Sequence, residues 1–308
     1  AVYLTALTSG RYDWSSIIDD KAVRVAGQDG SLWQPQNYDK KDHGKVFMVD
    51  AMARSLNQAT ARLGMKVGIG QVVDTFERLG VEKTIPPYPS ILLGSLSMSP
   101  LEVTQMFQTY ASGGFAMKPR VIQALTTSDN KVLTSYAVEG RQAFSPEMME
   151  ILRYGLQQVV VQGTGKRLAQ VFNTTKIAAK TGTSDDQRDA WFAGFDDRHL
   201  GVVWLGRDDN DPMPFTGASG ALPIWQSIFE KSGLEPLTPL VDLDWAWVNA
   251  YGQPVFEDCG GIRKMPFKSG SLTGREISCG DNKGASGVQI DSPEKEKQGG
   301  GSWFDWLF

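Results

Sequence analysis

Apolar residues recur at helical spacing in several segments of the chain. Val2, Leu4 and Leu7 follow this spacing at the first residues, although no Ser, Asp or Asn precedes them as a cap. Ser99-Pro100 and Ser145-Pro146 are helix start signals, because Pro at the first helical position loses no backbone hydrogen bond. The pattern predicts helices over residues 1–7, 46–54, 60–67, 72–79, 101–111, 146–161 and 223–229.

Shorter apolar runs between turn residues predict strands. Two runs, 121–125 and 132–136, flank the turn residues at 128–130, and together they predict a hairpin. Three further runs predict strands over residues 177–179, 190–195 and 200–205. The chain therefore changes from mainly helical to mainly strand between residues 175 and 215.

The last quarter of the chain has its own pattern. Pro236 and Pro239 mark a linker, and from residue 241 onward apolar residues alternate with polar or small ones. This period of two predicts a strand with one buried face, in which Trp245 and Trp247 are expected to form the core. Residues 251–256 are its expected hairpin partner.

These patterns divide the chain into four predicted parts. A main domain is followed by a linker, a small β module, and a tail that is rich in Gly, Ser and charged residues and ends in aromatic ones. Because the tail has almost no apolar residues before its end, it is predicted to be disordered. The parts are residues 1–233, 234–240, 241–280 and 281–308.

Composition excludes several classes of protein. With 308 residues, 41% hydrophobic and 21% charged, the chain can bury a large core. Its net charge of -4 and pI of about 5.4 argue against a nucleic-acid binder that uses a basic face. No apolar run approaches the roughly 20 residues of a membrane-spanning helix. No charged and then apolar leader opens the chain.

The cysteines and histidines are few and scattered. Cys259, Cys279, His43 and His199 lack the close spacing of zinc ligands, so neither a metal nor another cofactor is expected. Two cysteines that enclose a Gly-rich loop favour a disulfide and an oxidising compartment. Two free thiols in a cytosolic protein are the alternative.

The strongest chemical signal is Lys180-Thr181-Gly182-Thr183, directly after a short apolar run. A strand edge presents Lys and Thr side chains to a cleft there, and Gly182 lets a ligand lie against the backbone. A carboxylate suits such a site, because Lys supplies charge while a hydroxyl and a strand N–H supply directed donors. Similar Lys-Ser-Gly strings at 231–233 and 268–270 follow no apolar strand and are interpreted as structural.

A second candidate is Ser55-Leu56-Asn57, between two predicted helices. On a turn, Ser55 and Asn57 point into one cleft and offer a hydroxyl for proton relay and an amide for a carbonyl. A second Ser-x-Asn, at 128–130, lies in the predicted hairpin, where Asp-Asn is a favoured turn dipeptide. We therefore assign the chemistry to Ser55 and Asn57.

Together and in this order, these motifs resemble a penicillin-binding protein transpeptidase domain of class A, type 1b. The resemblance covers about residues 1–233, and three further segments support it, at 92–114, 160–168 and 217–225. It implies an α+β fold of the penicillin-binding transpeptidase and serine β-lactamase-like type, an antiparallel sheet flanked by helices. The small C-terminal β module is then an addition to that fold.

One family motif, the Ser-x-x-Lys that carries the nucleophile, departs from the pattern. The two strings of this form, at 128–131 and 292–295, lie in the predicted hairpin and in the tail, and both follow Ser55. In the family the nucleophile precedes the Ser-x-Asn motif and opens a helix. We therefore expect the nucleophilic Ser and its Lys just upstream of Ala1, where the uncapped first helix also indicates a fragment. A chain that truly lacks the nucleophile is the alternative.

The resemblance implies a peptidoglycan D,D-transpeptidase that cross-links stem peptides through a serine acyl-enzyme and is inhibited by β-lactams. Ser55 would relay a proton, Asn57 would hold the substrate amide, and Lys180 would keep the family's catalytic Lys neutral. The terminal carboxylate would lie on Lys180, Thr181 and Thr183, beside Gly182. A D,D-carboxypeptidase or β-lactamase on the same fold, or a non-catalytic scaffolding domain, remains an alternative.

The resemblance also implies a cellular setting. The parent protein would carry a glycosyltransferase domain and a membrane anchor upstream and face the periplasm from the bacterial inner membrane. An outer-membrane lipoprotein activator and cell-division or elongation proteins are the implied partners. The Cys259–Cys279 disulfide would lie outside the catalytic region.

Overall fold

A computed structural model describes residues 1–26, 32–172, 177–256 and 259–273. Within these ranges the structure has eight α-helices, seven of which lie in the first two thirds of the chain. The α-helices are α1 (Val2–Thr8), α2 (Met48–Ala53), α3 (Asn57–Val67), α4 (Ile69–Arg78), α5 (Pro100–Ala111), α6 (Pro146–Val161), α7 (Arg167–Phe172) and α8 (Leu222–Ser232). Short 3₁₀ turns at Pro89–Leu93 and Asp185–Gln187 and a π-helical turn at Gly217–Ala221 connect other elements.

The strands of the described residues pair antiparallel throughout. Two sheets have three strands, in the orders β11-β10-β9 and β13-β12-β14, and the pairs β1-β4, β2-β3, β5-β8 and β6-β7 form small ribbons. The strands are β1 (Ile17–Asp20), β2 (Val25–Ala26), β3 (Leu32–Trp33), β4 (Gly44–Phe47), β5 (Phe115–Met117), β6 (Ala124–Thr126), β7 (Val132–Ser135), β8 (Gly140–Gln142), β9 (Ala178–Thr183), β10 (Asp189–Phe195), β11 (Leu200–Gly206), β12 (Asp244–Val248), β13 (Pro254–Val255) and β14 (Arg263–Phe267). The predicted α+β class, with helices around antiparallel sheets, is confirmed.

The sheet of β9, β10 and β11 has helices on both faces. On one face Phe192 of β10 is fully buried against Trp225 of α8, with ring centroids 5.4 Å apart. On the other face Phe195 lies beneath the guanidinium of Arg153 of α6, 5.8 Å from its ring centroid. Side chains alternate between the faces along each strand, so β10 contributes buried side chains to both helix layers.

The helices with clear start signals have their predicted positions. α6 covers Pro146–Val161, and the side chain of Ser145 accepts a hydrogen bond from the amide of Met148. α5 begins at Pro100 with a capping box between Ser99 and Glu102, in which each side chain bonds the other residue's backbone N–H. Local capping chemistry therefore fixed these boundaries.

The predicted helix over residues 46–54 was wrong at its start. Val46 and Phe47 belong to β4, where they pair with Ile18 and Ile17 of β1. The helix begins only at Met48. This boundary is decided by pairing with a strand some 30 residues earlier. The local sequence pattern, from which the helix was predicted, contains no information about that strand.

The prediction for the C-terminal strand had the wrong buried face. Trp245 is 48% exposed, and the buried side chains of β12 are Ala246 and Val248. Together with Met265 and Phe267 of β14 they join the same hydrophobic core as the helices of the main domain. The reason is that the sheet packs the face that carries these four side chains onto that core, whereas Trp245 packs against Tyr154 of α6, with ring centroids 5.7 Å apart.

The C-terminal sheet also has a strand that the sequence pattern missed. β12 is its central strand and pairs with the expected partner β13 on one side and with β14 on the other. Cys259 is buried, but Cys279 and residues 281–308 lie outside the described residues, so the disulfide and the disordered tail stay predictions. Within the described ranges, none of the helices combines the length and apolar content that crossing a membrane requires.

Candidate active site

Lys180 and Ser55 meet at the edge of the central sheet. The Nζ atom of Lys180 donates to the Oγ of Ser55 over 2.8 Å and to the carbonyl of Thr181 over 2.9 Å. Burial lowers the pKa of Lys180 to about 8. The structure therefore unites the two strongest sequence candidates around one ammonium group with a lowered pKa.

Ser55 lies in the tight turn between α2 and α3. Its φ of 57° is in the left-handed region, which costs a non-glycine residue energy. Its amide donates to the carbonyl of Met52 and that of Leu56 to Ala51, so the end of α2 holds the turn. Strained conformations of this kind concentrate at functional sites, where they fix a side chain in an otherwise unfavoured direction.

Asn57 is the first residue of α3, not part of a turn before a later helix as predicted. Its Nδ2 donates to the carbonyl of Gln36 over 2.8 Å. This contact fixes the plane of the amide. Ser55 and Asn57 therefore lie on either side of one helix start, the former in the strained turn and the latter in the first helical turn.

A buried carboxylate anchors that helix start. Asp20 of β1 is fully buried, and its Oδ1 accepts from the amide of Ala59 over 2.9 Å. Its Oδ2 accepts from Asn37 Nδ2 over 2.7 Å, and Asn37 Oδ1 accepts from the amide of Gln58 over 3.2 Å. Two amide groups at the start of α3 are thus satisfied by side chains distant in sequence, and the negative charge complements the helix dipole.

The strand β9 leaves one of its edges unpaired by any strand of the described residues. The amide of Ser184 donates to the carbonyl of Asp189, which makes these two residues a hydrogen-bonded pair of the antiparallel ladder. Such pairs alternate, so the N–H and carbonyl of Thr183 and of Thr181 point away from β10. The free edge beside Lys180 therefore offers the N–H of Thr183 to a ligand.

Thr181 is turned to the side of the sheet opposite Lys180. It is 9% exposed, and its Oγ1 shares a hydrogen bond of 2.6 Å with Thr164 Oγ1. The amide of Thr164 donates to the carbonyl of Ala53 over 3.1 Å. Thr164 thus ties β9 to the end of α2, two residues before Ser55.

Thr183 and Gly182 contact the π-helical turn that starts at Gly217. The amide of Gly217 donates to Thr183 Oγ1 over 3.0 Å. A Cβ atom at Gly217 would lie 2.3 Å from the carbonyl oxygen of Trp191 and 2.5 Å from that of Gly182. Only glycine permits this approach. Thr216 and Ser219 cap the same turn with a reciprocal pair of hydrogen bonds.

Sequence reasoning missed Thr164 and Gly217 as parts of the site. Both lie in strings, residues 163–166 and 217–220, that imitate a phosphate loop and a nucleophile elbow without matching either. The available signal was that these residues lie in segments 160–168 and 217–225, which support the resemblance described above. Ser128, in contrast, lies as predicted in the exposed turn between β6 and β7. Among the described residues, no cluster of three or more His, Cys, Asp or Glu is placed to hold a metal.

The chain is similar to known proteins over most of its length. A family model described as the penicillin binding protein transpeptidase domain matches residues 1–206. Penicillin-binding protein 1B of Haemophilus influenzae is 34% identical over 303 residues, which cover 96% of this chain and 38% of that protein. Penicillin-binding protein 1B of Vibrio cholerae is 41% identical over 227 residues, covering 73% of this chain and 29% of that protein. The chain thus spans less than two fifths of the length of these relatives.

Solved structures show the same fold at lower identity. Penicillin-binding protein 1A of Haemophilus influenzae superimposes with a TM-score of 0.78 at 21% identity, covering 87% of this chain and 46% of that one. PonA1 of Mycobacterium tuberculosis, solved in complex with penicillin V, gives a TM-score of 0.65 at 20% identity, covering 77% of this chain and 69% of that one.

Proposed function

The chain belongs to the penicillin-binding protein transpeptidase family, and from that membership we propose that it is the D,D-transpeptidase region of a class A peptidoglycan synthase. The observation that carries the proposal is the hydrogen bond from Lys180 to Ser55 at the free edge of β9. It places a cation, a hydroxyl and an unpaired strand N–H around one point, and acyl transfer on a peptide with a terminal carboxylate needs these groups.

The proposed reaction is acyl transfer through a serine ester. The nucleophilic hydroxyl attacks the carbonyl of the penultimate D-Ala, the peptide bond to the terminal D-Ala breaks, and that amine leaves with a proton. An amine of a neighbouring stem peptide then attacks the ester and releases the serine. Ser55 is in contact with Lys180 and suits the relay of the proton to the leaving amine, since a positioned proton donor assists this step.

The carbonyl oxygen gains negative charge during each attack. The outward N–H of Thr183 is suited to donate to it, together with the N–H of the nucleophile. Loss of one such donor costs about 3 kcal/mol in the transition state. Asn57, with its amide plane fixed by Gln36, is suited to hold the backbone of the donor peptide.

Among the expected carboxylate ligands, the geometry favours Lys180 and Thr183, whose side chain is exposed. Thr181 is buried and bonded to Thr164, which suits a role in holding β9 against the segment after α6. Gly182 keeps the face of the strand beside Trp191 free of a side chain, so a ligand can lie close to the backbone.

We further propose that the nucleophile and its Lys precede Ala1 in the parent protein. Two observations support this. Ser128 lies in an exposed hairpin turn, and the matched relatives are more than twice as long as this chain. Anchoring at the periplasmic face of the inner membrane, a glycosyltransferase domain, a lipoprotein activator and cell-division or elongation partners belong to the same proposal for the whole protein.

Labelling of the full-length protein with fluorescent penicillin tests the function. We expect a stable covalent band, and peptide mapping should place the adduct on a serine before Ala1. Rapid loss of the label would instead indicate a β-lactamase, and an adduct on Ser55 or Ser128 would contradict the assignment of the nucleophile. Thr183→Ala removes the hydroxyl proposed to bind the carboxylate and should slow labelling, while Ser128→Ala should not; equal rates for both would exclude a role for the Thr183 side chain.

A further inference from the structure

The C-terminal sheet reaches the main domain through a cluster of three side chains. Arg263 of β14 donates through Nη1 to Asp50 Oδ1 over 2.6 Å and through Nη2 to Gln162 Oε1 over 3.1 Å. Gln162 closes the triangle, because its Nε2 donates to the same oxygen of Asp50 over 3.0 Å. We call Arg263, Asp50 and Gln162 the arginine cluster.

The arginine cluster is partly shielded from water. The side chains of Arg263 and Asp50 are 28% and 21% exposed, in contrast to surface pairs such as Arg198 and Glu235 at 69% and 54%. A guanidinium donates from a planar fork, so it fixes both partners at once with charge-assisted hydrogen bonds. The cluster is therefore a junction of defined geometry, more so than an exposed ion pair.

Each partner of Arg263 leads directly into the candidate active site. Asp50 lies on α2, which ends at the turn that holds Ser55. Gln162 follows α6 and precedes Gly163 and Thr164, where Thr164 bonds both Ala53 and Thr181. The junction thus joins, from outside, the segment that carries Ser55 and the segment that contacts Thr181 of β9.

The approach of these two segments leaves little freedom. A Cβ atom at Gly163 would lie 2.1 Å from the carbonyl oxygen of Ala53, so the backbones are in direct contact. A small shift of α2 or of the segment after α6 would therefore be passed to the other. Arg263 holds the outer ends of both segments at the position set by β14.

The C-terminal sheet is firmly placed on the main domain by other contacts. Met265 and Phe267 of β14 are buried in the common core. At the opposite end of α6 the amide of Ser269 donates to Glu147 Oε1 over 2.9 Å. Glu147 lies ~22 Å from Gln162 along the helix, at 1.5 Å per residue, and is not adjacent to either segment of the site.

We propose that Arg263 is a positioning residue for the transpeptidase site. By holding Asp50 and Gln162 it keeps Ser55 and the Thr164–Thr181 contact in place around Lys180. The C-terminal sheet is thereby a working part of the catalytic unit and not an appendage. This inference rests on the proposed function, which the same experiment tests separately.

The experiment compares Arg263→Gln with Glu147→Ala in the full-length protein. Both variants remove a contact between the C-terminal sheet and α6, but only the first touches the site segments. We expect Arg263→Gln to slow acylation by penicillin V about tenfold and Arg263→Lys to restore part of it, since Lys keeps the charge but not the fork. Glu147→Ala should stay within about twofold of the parent.

Amide hydrogen exchange supplies a readout independent of activity. Residues 50–57 and 162–166 should exchange faster in Arg263→Gln than in Glu147→Ala at equal melting temperature. Equal acylation and equal exchange in the two variants would overturn the inference. If the parent protein itself fails to react with penicillin, the proposed function falls, and the exchange comparison alone decides on the positioning by Arg263.

A double variant distinguishes the loss of one shared junction from general destabilisation of the protein. Asp50→Asn should slow acylation to a similar extent as Arg263→Gln, and the two together should be little worse than either alone, because both remove one junction. Fully additive losses would contradict a shared role.

Discussion

Lys180 donates a hydrogen bond of 2.8 Å to Ser55 although the two residues lie 125 positions apart in the chain. Ser55 is held there by a left-handed turn and Lys180 by the register of β9 with β10. The contact therefore depends on two elements that are distant in the chain, and its chemistry can be tested from either side.

Replacement of Ser55 by glycine should separate stability from activity. Glycine adopts a φ of 57° without cost, so we expect unfolding in urea to require the same or a slightly higher free energy, by up to about 1 kcal/mol. Acylation by penicillin in the full-length protein should fall by roughly 100-fold or more, because the relay hydroxyl is gone. Ser128→Gly is the matched control in an exposed turn, and a full rate in Ser55→Gly would remove the relay role.

The charge of Lys180 should set the alkaline limit of acylation. Burial lowers the pKa of Lys180 from 10.5 to about 8, so the ammonium that we propose binds an anionic ligand is present below this pH and lost above it. Acylation should therefore fall as pH rises through 8, by about tenfold at one pH unit above it. Measuring the rate of penicillin labelling between pH 6 and 10 tests this decrease.

The lowered pKa of Lys180 also makes the stability of the folded protein depend on pH. Because the folded state lowers this pKa, the native protein is destabilised by the buried charge at neutral pH, and this cost diminishes as pH rises from about 8 toward 10.5.

In Lys180→Arg the guanidinium stays charged, so the decrease of acylation at alkaline pH should disappear. If the decrease at alkaline pH persists unchanged in this variant, it is caused by the titration of another group.

A methyl group at Gly217 should displace the turn that contacts Thr183. In Gly217→Ala the new Cβ would meet backbone oxygens of Trp191 and Gly182, which cannot move aside as a side chain can. We expect a loss of about 1–3 kcal/mol in unfolding free energy and slower acylation. Gly70→Ala is the control, since Gly70 lies in α4 with open space around it, and it should gain up to about 1 kcal/mol. Equal behaviour of the two variants would refute the close contact.

Removal of the charge of Asp20 should loosen the start of α3. In Asp20→Asn an amide NH₂ replaces one acceptor oxygen, so either the amide of Ala59, or the Nδ2 of Asn37 together with the amide of His43, loses this acceptor. We expect a loss of about 2–3 kcal/mol, measured by urea unfolding. Asp42→Asn, at an exposed position of the same region, should stay within about 0.5 kcal/mol. A similarly small effect at Asp20 would show that the cap is dispensable.

Local signals in the sequence predicted much of the secondary structure. Ser145 and Ser99 cap helices whose cores follow the helical period, and both the cap and the period act within one or two turns. The hairpin around residues 128–130 was equally predictable, because its turn residues tolerate the required backbone, with Asn130 at a φ of 62°. Such features need no knowledge of the rest of the chain.

The sequence by itself also identified Lys180, Ser55 and Asn57 as candidates, since each occurs in a motif with a chemical meaning. The tertiary structure decided which atoms meet: Lys180 with Ser55, Thr181 with Thr164, and Asp20 with the start of α3. It also decided that Trp245 lies at the surface and that the C-terminal sheet shares the main core. The physical reason is range: caps, turns and periodicity act over a few residues, whereas strand register and the packing of distant faces depend on the whole fold.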